Sequence, residues 1–300
     1  MHRLRNILFA TDFSSSAKRA LRYAIALAKR ENGTLHFLHV IEGERNSVPG
    51  AYETAALPDV EERVRAELAR LAEQAGSLGI QTTCQVRQGK PWREIVDEAA
   101  QAGVDLVLIA SHGSGGFEHV VFGGTCEKVV RVSTVPVLTI KDSGHEFVDP
   151  DGTEIRLGRV LCPYDFSKFS TLALPIAAAL CRSFDATLVL AHVMYPYFEF
   201  PNFSGESVAP SLTQPTHPAR EALTRIAEDL EGVRTEIQVF VGVPHRELRH
   251  FAEETGVDLV VMATHGHTGI AHMLLGSVAE KILRTAPCPV MSIRPKQEEE

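Results

Sequence analysis

"QGKPWREIVDEAAQAGVDLVLIASHG", Gln88 to Gly113, returns as "VGVPHRELRHFAEETGVDLVVMATHG", Val241 to Gly266, after an interval of 153 residues. In both copies a polar stretch opens on proline, carries apolar residues at helical spacing and ends at a glycine, which reads as one helix. A near-continuous apolar run follows, as expected of a parallel strand covered on both faces. Helix then doubly buried strand sets the fold class: α/β, with a parallel sheet.

The same offset runs through the rest of the chain. "ATDFSSSAKRAL" at Ala10 returns as "PYDFSKFSTLAL" at Pro163, and "LHFLHV" at Leu35 as "LVLAHV" at Leu188. "FGGTCEKVVRVSTVPVLTI" at Phe122 returns as "LGSVAEKILRTAPCPVMSI" at Leu275. Solenoid repeats run about 20–50 residues, so a period this long means a duplicated domain. Each copy alternates strand and helix through five strands and four helices, and serines before Ala17 suit an N-cap. That order predicts two tandem five-stranded, parallel, doubly wound sheets. The first domain is expected over residues 1–141, a polar linker over 142–157, the second domain over 158–295 and a charged tail over 296–300.

Composition excludes several classes. A net charge of −8 argues against a nucleic-acid partner. No apolar run approaches the roughly 20 residues that span a bilayer, and "ILFA" near the N-terminus is too short for a signal-peptide core. Five single cysteines without a CxxC pair suit a reducing cytoplasm rather than a disulfide framework.

In such sheets ligands sit beyond the carboxyl ends of the strands, where strand order reverses. Orders 2-1-3-4-5 and 3-2-1-4-5 are both common, and the second is favoured. It brings the loop after strand one, with Asp12 or Asp165, opposite the loop after strand four. That fourth loop reads "SHGSGGFEHVVFGG" in one copy and "THGHTGIAHMLLGS" in the other. A glycine-rich loop entering a helix lets backbone N–H groups and the helix dipole hold phosphate oxygens. An ionised aspartate is an acceptor, suited to an exocyclic amine or a ribose hydroxyl. The alternatives are a long turn for the glycines and helix capping for the aspartate, and Ser277 could either cap its helix or donate to phosphate.

With these motifs the chain resembles the universal stress protein family in its tandem, two-domain form, whose fold is that of the adenine-nucleotide alpha-hydrolase-like proteins. "TDFS" and "YDFS", "GKPWREI" and "GVPHREL", and "ATHGHTGIAHMLLGSVAEKILRTAPCPV" carry the likeness. The family's ATP signature is Gly, two residues, Gly, nine residues, then Gly followed by Ser or Thr. The second copy supplies Ala263, Gly266, Gly276 and Ser277; the first supplies Ala110, Gly113, Gly123 and Gly124, with Thr125 one place later. The resemblance implies that Asp165 meets the adenine or its ribose and that Val193 offers backbone groups to the adenine. Gly266, Gly276 and Ser277 would hold the phosphates, flanked by Pro163, Met262, Ala263, His265 and Val278. Asp12 and Val40, with Ala110, Gly113, Gly123, Gly124 and Thr125, would form a weaker site in the first copy. Alanine for the first glycine is tolerable if that residue keeps a negative φ. The expected function is ATP binding, with or without magnesium, mainly in the second copy, by a cytoplasmic stress-response regulator. A nucleotide-free interaction scaffold and a slow ATPase are the rival readings.

Zinc on His265, His267 and His272 is disfavoured, because the copies do not share His267 and no cysteine joins them. His39 and His192, ending strand two, read as structural histidines. GxxxxGK[ST], GxGxxG after the first strand and GxSxG are all absent, so no catalytic residue is assigned. Tyr195 to Pro218 is long, aromatic and broken by prolines, which fits either a lid or partner surface or a disordered excursion. The last strands, "VPVLTI" and "CPVMSI", are apolar edges that need cover. Family members pair them across a dimer, so a tandem chain is expected to pair them internally as a pseudo-dimer, with further homodimerisation and a regulatory protein partner open.

Overall fold

The computed structural model describes residues 4–43, 57–113, 122–141, 144–195, 216–266 and 275–295. The first half runs β1 (Asn6–Ala10), α1 (Ser15–Glu31), β2 (Thr34–Glu42), α2 (Leu57–Gly76), β3 (Gln81–Gly89), α3 (Pro91–Gln101), β4 (Leu106–Ala110), α4 (Gly124–Val132) and β5 (Val137–Ile140). The second repeats it with β6 (Arg159–Pro163), α5 (Ser170–Phe184), β7 (Thr187–Met194), α6 (His217–Glu228), β8 (Arg234–Val241), α7 (Pro244–Thr255), β9 (Leu259–Ala263), α8 (Ser277–Thr285) and β10 (Val290–Ile293). Local chemistry sets the ends. The Ser14 side chain accepts from the Ala17 N–H to cap α1, and Asn32 leaves that helix in the left-handed region. Prolines open α3 and α7, where a missing N–H costs nothing.

All ten strands form one sheet in the order β3-β2-β1-β4-β5-β10-β9-β6-β7-β8. Each half therefore has the order 3-2-1-4-5. Alternate residues of β1 face opposite layers: Ile7 and Phe9 enter the core beneath α1 and α2, whereas Leu8 enters the core with α3 and α4 residues. Full burial of each such side chain contributes about 1.5–3 kcal/mol, so an apolar strand is held from both sides.

The halves meet at β5 and β10, which pair antiparallel with Leu138 opposite Met291. The expected pairing of the apolar last strands is thus made inside the chain. Quasi-symmetric polar contacts flank it. Arg284 of α8 pairs with Glu127 of α4 at 3.2 Å, and Glu127 also takes Arg131 at 2.7 Å. Lys141 donates to the Ala286 carbonyl just past α8, and Arg294 to the Val132 carbonyl ending α4. Because the halves run antiparallel, the carboxyl ends of their strands point to opposite edges of the sheet.

The segment joining the halves is packed, although its sequence is polar. It passes the amino ends of β10 and β9 to reach β6. His145 N–H donates to the Pro287 carbonyl, and Gly144 (φ 112°) lies so close that a Cβ there would fall 2.1 Å from the same oxygen. Glu146 takes Arg19 and Arg22 of α1, and the Phe147 ring meets Tyr23 edge-on at 4.9 Å. Asp258 Oδ2 accepts the backbone N–H groups of Gly158 and Arg159, while its Oδ1 bonds His145. Asp105 makes the same backbone pair with Arg5 and Asn6 in the first half. Removing a nearly buried carboxylate leaves those amides unpartnered. Asp258→Ala should lower the unfolding free energy by about 3 kcal/mol and Asp105→Ala by about 2 kcal/mol, read by urea denaturation of the full chain. Equal losses would show that the contact with His145 adds nothing.

Candidate nucleotide crevice

After β1 the chain makes a tight turn on an aspartate. Asp12 Oδ1 accepts the Ser14 N–H at 3.1 Å, and the Phe13 N–H bonds Thr11 Oγ1 at 3.0 Å. Asp165 Oδ1 accepts the Ser167 N–H at 3.0 Å and its hydroxyl at 2.6 Å. The intervening Phe13 and Phe166 are left-handed, with φ of 63° and 64°, a conformation that costs about 1–3 kcal/mol for a bulky residue and clusters at functional turns. Each ring packs on a histidine within the second strand of its half, β2 or β7: Phe13 stacks on His39 at 4.7 Å, and Phe166 tilts on His192 at 4.8 Å. His39 Nδ1 donates to the Thr11 carbonyl and His192 Nδ1 to the Tyr164 carbonyl, both at 2.8 Å, which suits structural histidines. Neither aspartate caps the first helix; the cap positions are Ser14 and Phe169.

The loop after strand four closes on that carboxylate. A Cβ on Gly113 would stand 2.7 Å from Asp12 Oδ2, and one on Gly266 only 2.5 Å from Asp165 Oδ2. A side chain at either glycine would push the carboxylate aside. The two loops therefore line one crevice in each half. Farther along, the Gly123 N–H bonds the Ser111 carbonyl at 2.7 Å and the Gly276 N–H the Thr264 carbonyl at 2.8 Å. His112 and the buried His265 bond the hydroxyls of Ser111 and Thr264 through Nδ1. Gly123 and Gly276 hold the N-cap positions of α4 and α8 without a side-chain cap, and Ser277 is the first helical residue rather than the cap. A helix start without a side-chain cap favours an anion. Ala110 and Ala263 end their strands at negative φ, the condition under which alanine fits there.

In the first half the crevice is a cavity of about 590 Å³. Asp12, Val40, Ala110, Gly113, Gly123, Gly124 and Thr125 all line it. Ala10, Ile109 and His112 line it too, at the positions matching Pro163, Met262 and His265. Every residue expected at the second site thus has a first-half counterpart on the cavity wall. Asp165, Val193, Gly266, Gly276, Ser277 and Val278 occupy the equivalent turn, strand end and helix start of the second half. Sequence reasoning missed Glu42 and Val60 on the wall, as well as Pro91 and Ile95 of α3. Pro91 belongs to the repeated "GKPWREI" and was recognisable; Val60 lies on α2, where the repeat fades. Cys126 also borders the cavity, but burial raises its thiol to about 12, which leaves no thiolate for chemistry.

Among the described residues no three His, Cys, Asp or Glu side chains could hold a metal, and no helix is long and apolar enough to cross a membrane. His267 and His272, most of the segment after Tyr195 and the charged tail lie outside the described residues.

The model of the universal stress protein family matches residues 3–141 and again 157–294. A universal stress protein of Methanocaldococcus jannaschii is 34% identical over 144 residues, covering 47% of this chain and 84% of its own. Universal stress protein E of Escherichia coli is 24% identical and spans 98% of this chain and 95% of its own. The crystal structure of a universal stress protein from Archaeoglobus fulgidus superposes with a TM-score of 0.71 at 22% identity, covering 96% of this chain and 97% of that one.

Burial holds the His39 imidazole below its ordinary value of 6.5, opposed in part by the Thr11 carbonyl and Asp12. Burial does the same to His36. The unfolded chain therefore takes up protons first as pH falls, so stability drops below about pH 6.5. Urea midpoints should decline between about pH 7 and pH 5, and His39→Asn should flatten that decline. An unchanged slope in the variant would contradict the assignment.

Proposed function

The chain belongs to the universal stress protein family, and we propose that it binds an adenine nucleotide as a cytoplasmic stress-response regulator, with ATP held mainly in the second half. One observation carries this reading: in both halves the strand-one aspartate abuts a glycine of the strand-four loop beside an uncapped helix start. Asp165 then accepts from an exocyclic amine or ribose hydroxyl, and the backbone at Val193 meets the base edge. Gly266 and Gly276 let the phosphates approach the chain, and the first N–H groups of α8 face them. Ser277 adds a hydroxyl donor that Gly124 lacks. ATP would enter with its magnesium, whose charge offsets the phosphates. The base end would be flanked by Pro163, Met262 and Ala263, with His265 and Val278 beside the phosphate end.

Regulation follows from differential affinity: the nucleotide shifts the chain only as far as it prefers one state to another. A protein partner would read that state. The pseudo-dimer already occupies the last-strand edges, leaving β3 and β8 as the outer strands of the sheet.

Calorimetry with MgATP on the full chain tests the proposal. Ser277→Ala should weaken ATP about ten- to a hundredfold, the worth of one hydrogen bond to a charged group. Gly276→Val should abolish measurable binding in the second half, because even a Cβ there would lie 3.1 Å from the Thr264 carbonyl. A Gly276→Val chain that binds ATP as well as the parent, with the parent's stoichiometry, sinks the proposal.

A further inference from the structure

The two crevices share a backbone but differ at their two chemical ends. The first cavity is lined by two carboxylates, Asp12 and Glu42, and among its described lining there is no lysine or arginine. Its size lies within the roughly 300–1,000 Å³ range of small-molecule pockets. At the phosphate end Gly124 stands where the second half has Ser277, and the hydroxyl moves one residue on, to Thr125, where the second half has Val278. At the strand-two end Glu42 becomes Tyr195, an exposed phenol. The first half gains an acceptor carboxylate where amines and sugar hydroxyls donate, and its phosphate-end hydroxyl is displaced by one residue. A polyphosphate placed there would meet Glu42 in addition to the aspartate that both halves share, in a partly enclosed site.

We propose that the first-half cavity binds an uncharged adenine nucleoside in preference to ATP, so that the two halves sense different adenine species. This rests on the adenine reading of the fold given above. Asp12 and Glu42 accept from the exocyclic amine and the ribose diol, and the helix start at Gly124 is left to water. The antiparallel arrangement puts the two mouths at opposite edges of the sheet, so each fills without blocking the other.

The test uses the full chain with the second crevice closed by Gly276→Val, checked by its unfolding midpoint. Gly266→Leu, whose side chain would start 2.5 Å from Asp165 Oδ2 and is too large for a turn of that carboxylate to accommodate, serves the same purpose if the valine disturbs folding. Adenosine, AMP and MgATP are titrated separately by calorimetry. Adenosine should bind at least about tenfold more tightly than ATP, and Glu42→Gln should shrink that ratio at least about threefold by removing one like charge. Gly113→Ala, which pushes the Asp12 carboxylate aside, should weaken adenosine about tenfold. ATP binding as tightly as adenosine overturns the proposal, and so does adenosine binding that ignores Gly113→Ala or is absent. Failure of the ATP reading shows separately, as ATP affinity in the parent chain that does not depend on Ser277.

Discussion

The antiparallel pairing of β5 with β10 is the constraint from which the rest of this molecule follows. A parallel sheet of this order ends in an apolar strand whose backbone groups need partners, and duplication supplies that partner in the same chain. The pairing turns the second half over, so the chain leaving β5 emerges at the amino ends of β10, β9 and β6. Neighbouring strands lie about 4.8 Å apart, so the connection has roughly 14 Å to cover along that edge. It has to run past Pro287 and Asp258 on the way. Both provide acceptors, and His145 uses both. The polar composition that marks a linker is therefore the composition of a docked strap, whose hydrogen bonds are made to the starts of strands.

The same inversion separates the two ligand edges. Within each half, the crevice depends on a second close approach, that of an aspartate Oδ2 to a glycine. The contact needs strands one and four to be neighbours, which only the 3-2-1-4-5 order gives. It also needs the aspartate turned toward strand four, and the left-handed phenylalanine after it makes that turn in both halves. The strain is held by the stack on His39 or the tilted contact with His192, and by the histidine's bond to the carbonyl before the aspartate. Strand order, strained turn and crevice form one causal chain.

Much of this was legible in the sequence because the repeat acts as its own alignment. The common offset marks strands, helices and both loops of the crevice. Three features escaped. The left-handed Phe13 and Phe166 carry no local signal, since aromatic residues rarely adopt that conformation and only tertiary packing enforces it. His145 and Glu146 have no counterpart in a second copy, so nothing distinguished a docked strap from a loose linker. Val60 enters the cavity wall from α2, where the halves diverge: α2 runs Leu57–Gly76, and α6 only His217–Glu228. Helical spacing predicted that helix, but not which of its residues would reach the ligand edge. Sequence allows Ser277 to be either cap or phosphate ligand, and Gly276 at the N-cap of α8 removes the first role.

Divergence between the copies also separates packing from function. Arg87 and Glu98 form an ion pair in the first half, and the matching positions hold Phe240 and Phe251 with ring centroids 5.5 Å apart. A charged pair replaced by an aromatic pair is a compensated change: both partners moved together, and the contact between β3 and α3 survives as one between β8 and α7. Glu42 against Tyr195 and Gly124 against Ser277 differ in kind. Glu42 and Gly124 line the first-half cavity rather than the core, and the hydroxyl missing at Gly124 stands one residue on, at Thr125, where the second half has Val278. Packing explains the first class of substitution completely. The second class changes the hydrogen-bonding groups presented at the crevice, a change that packing does not require.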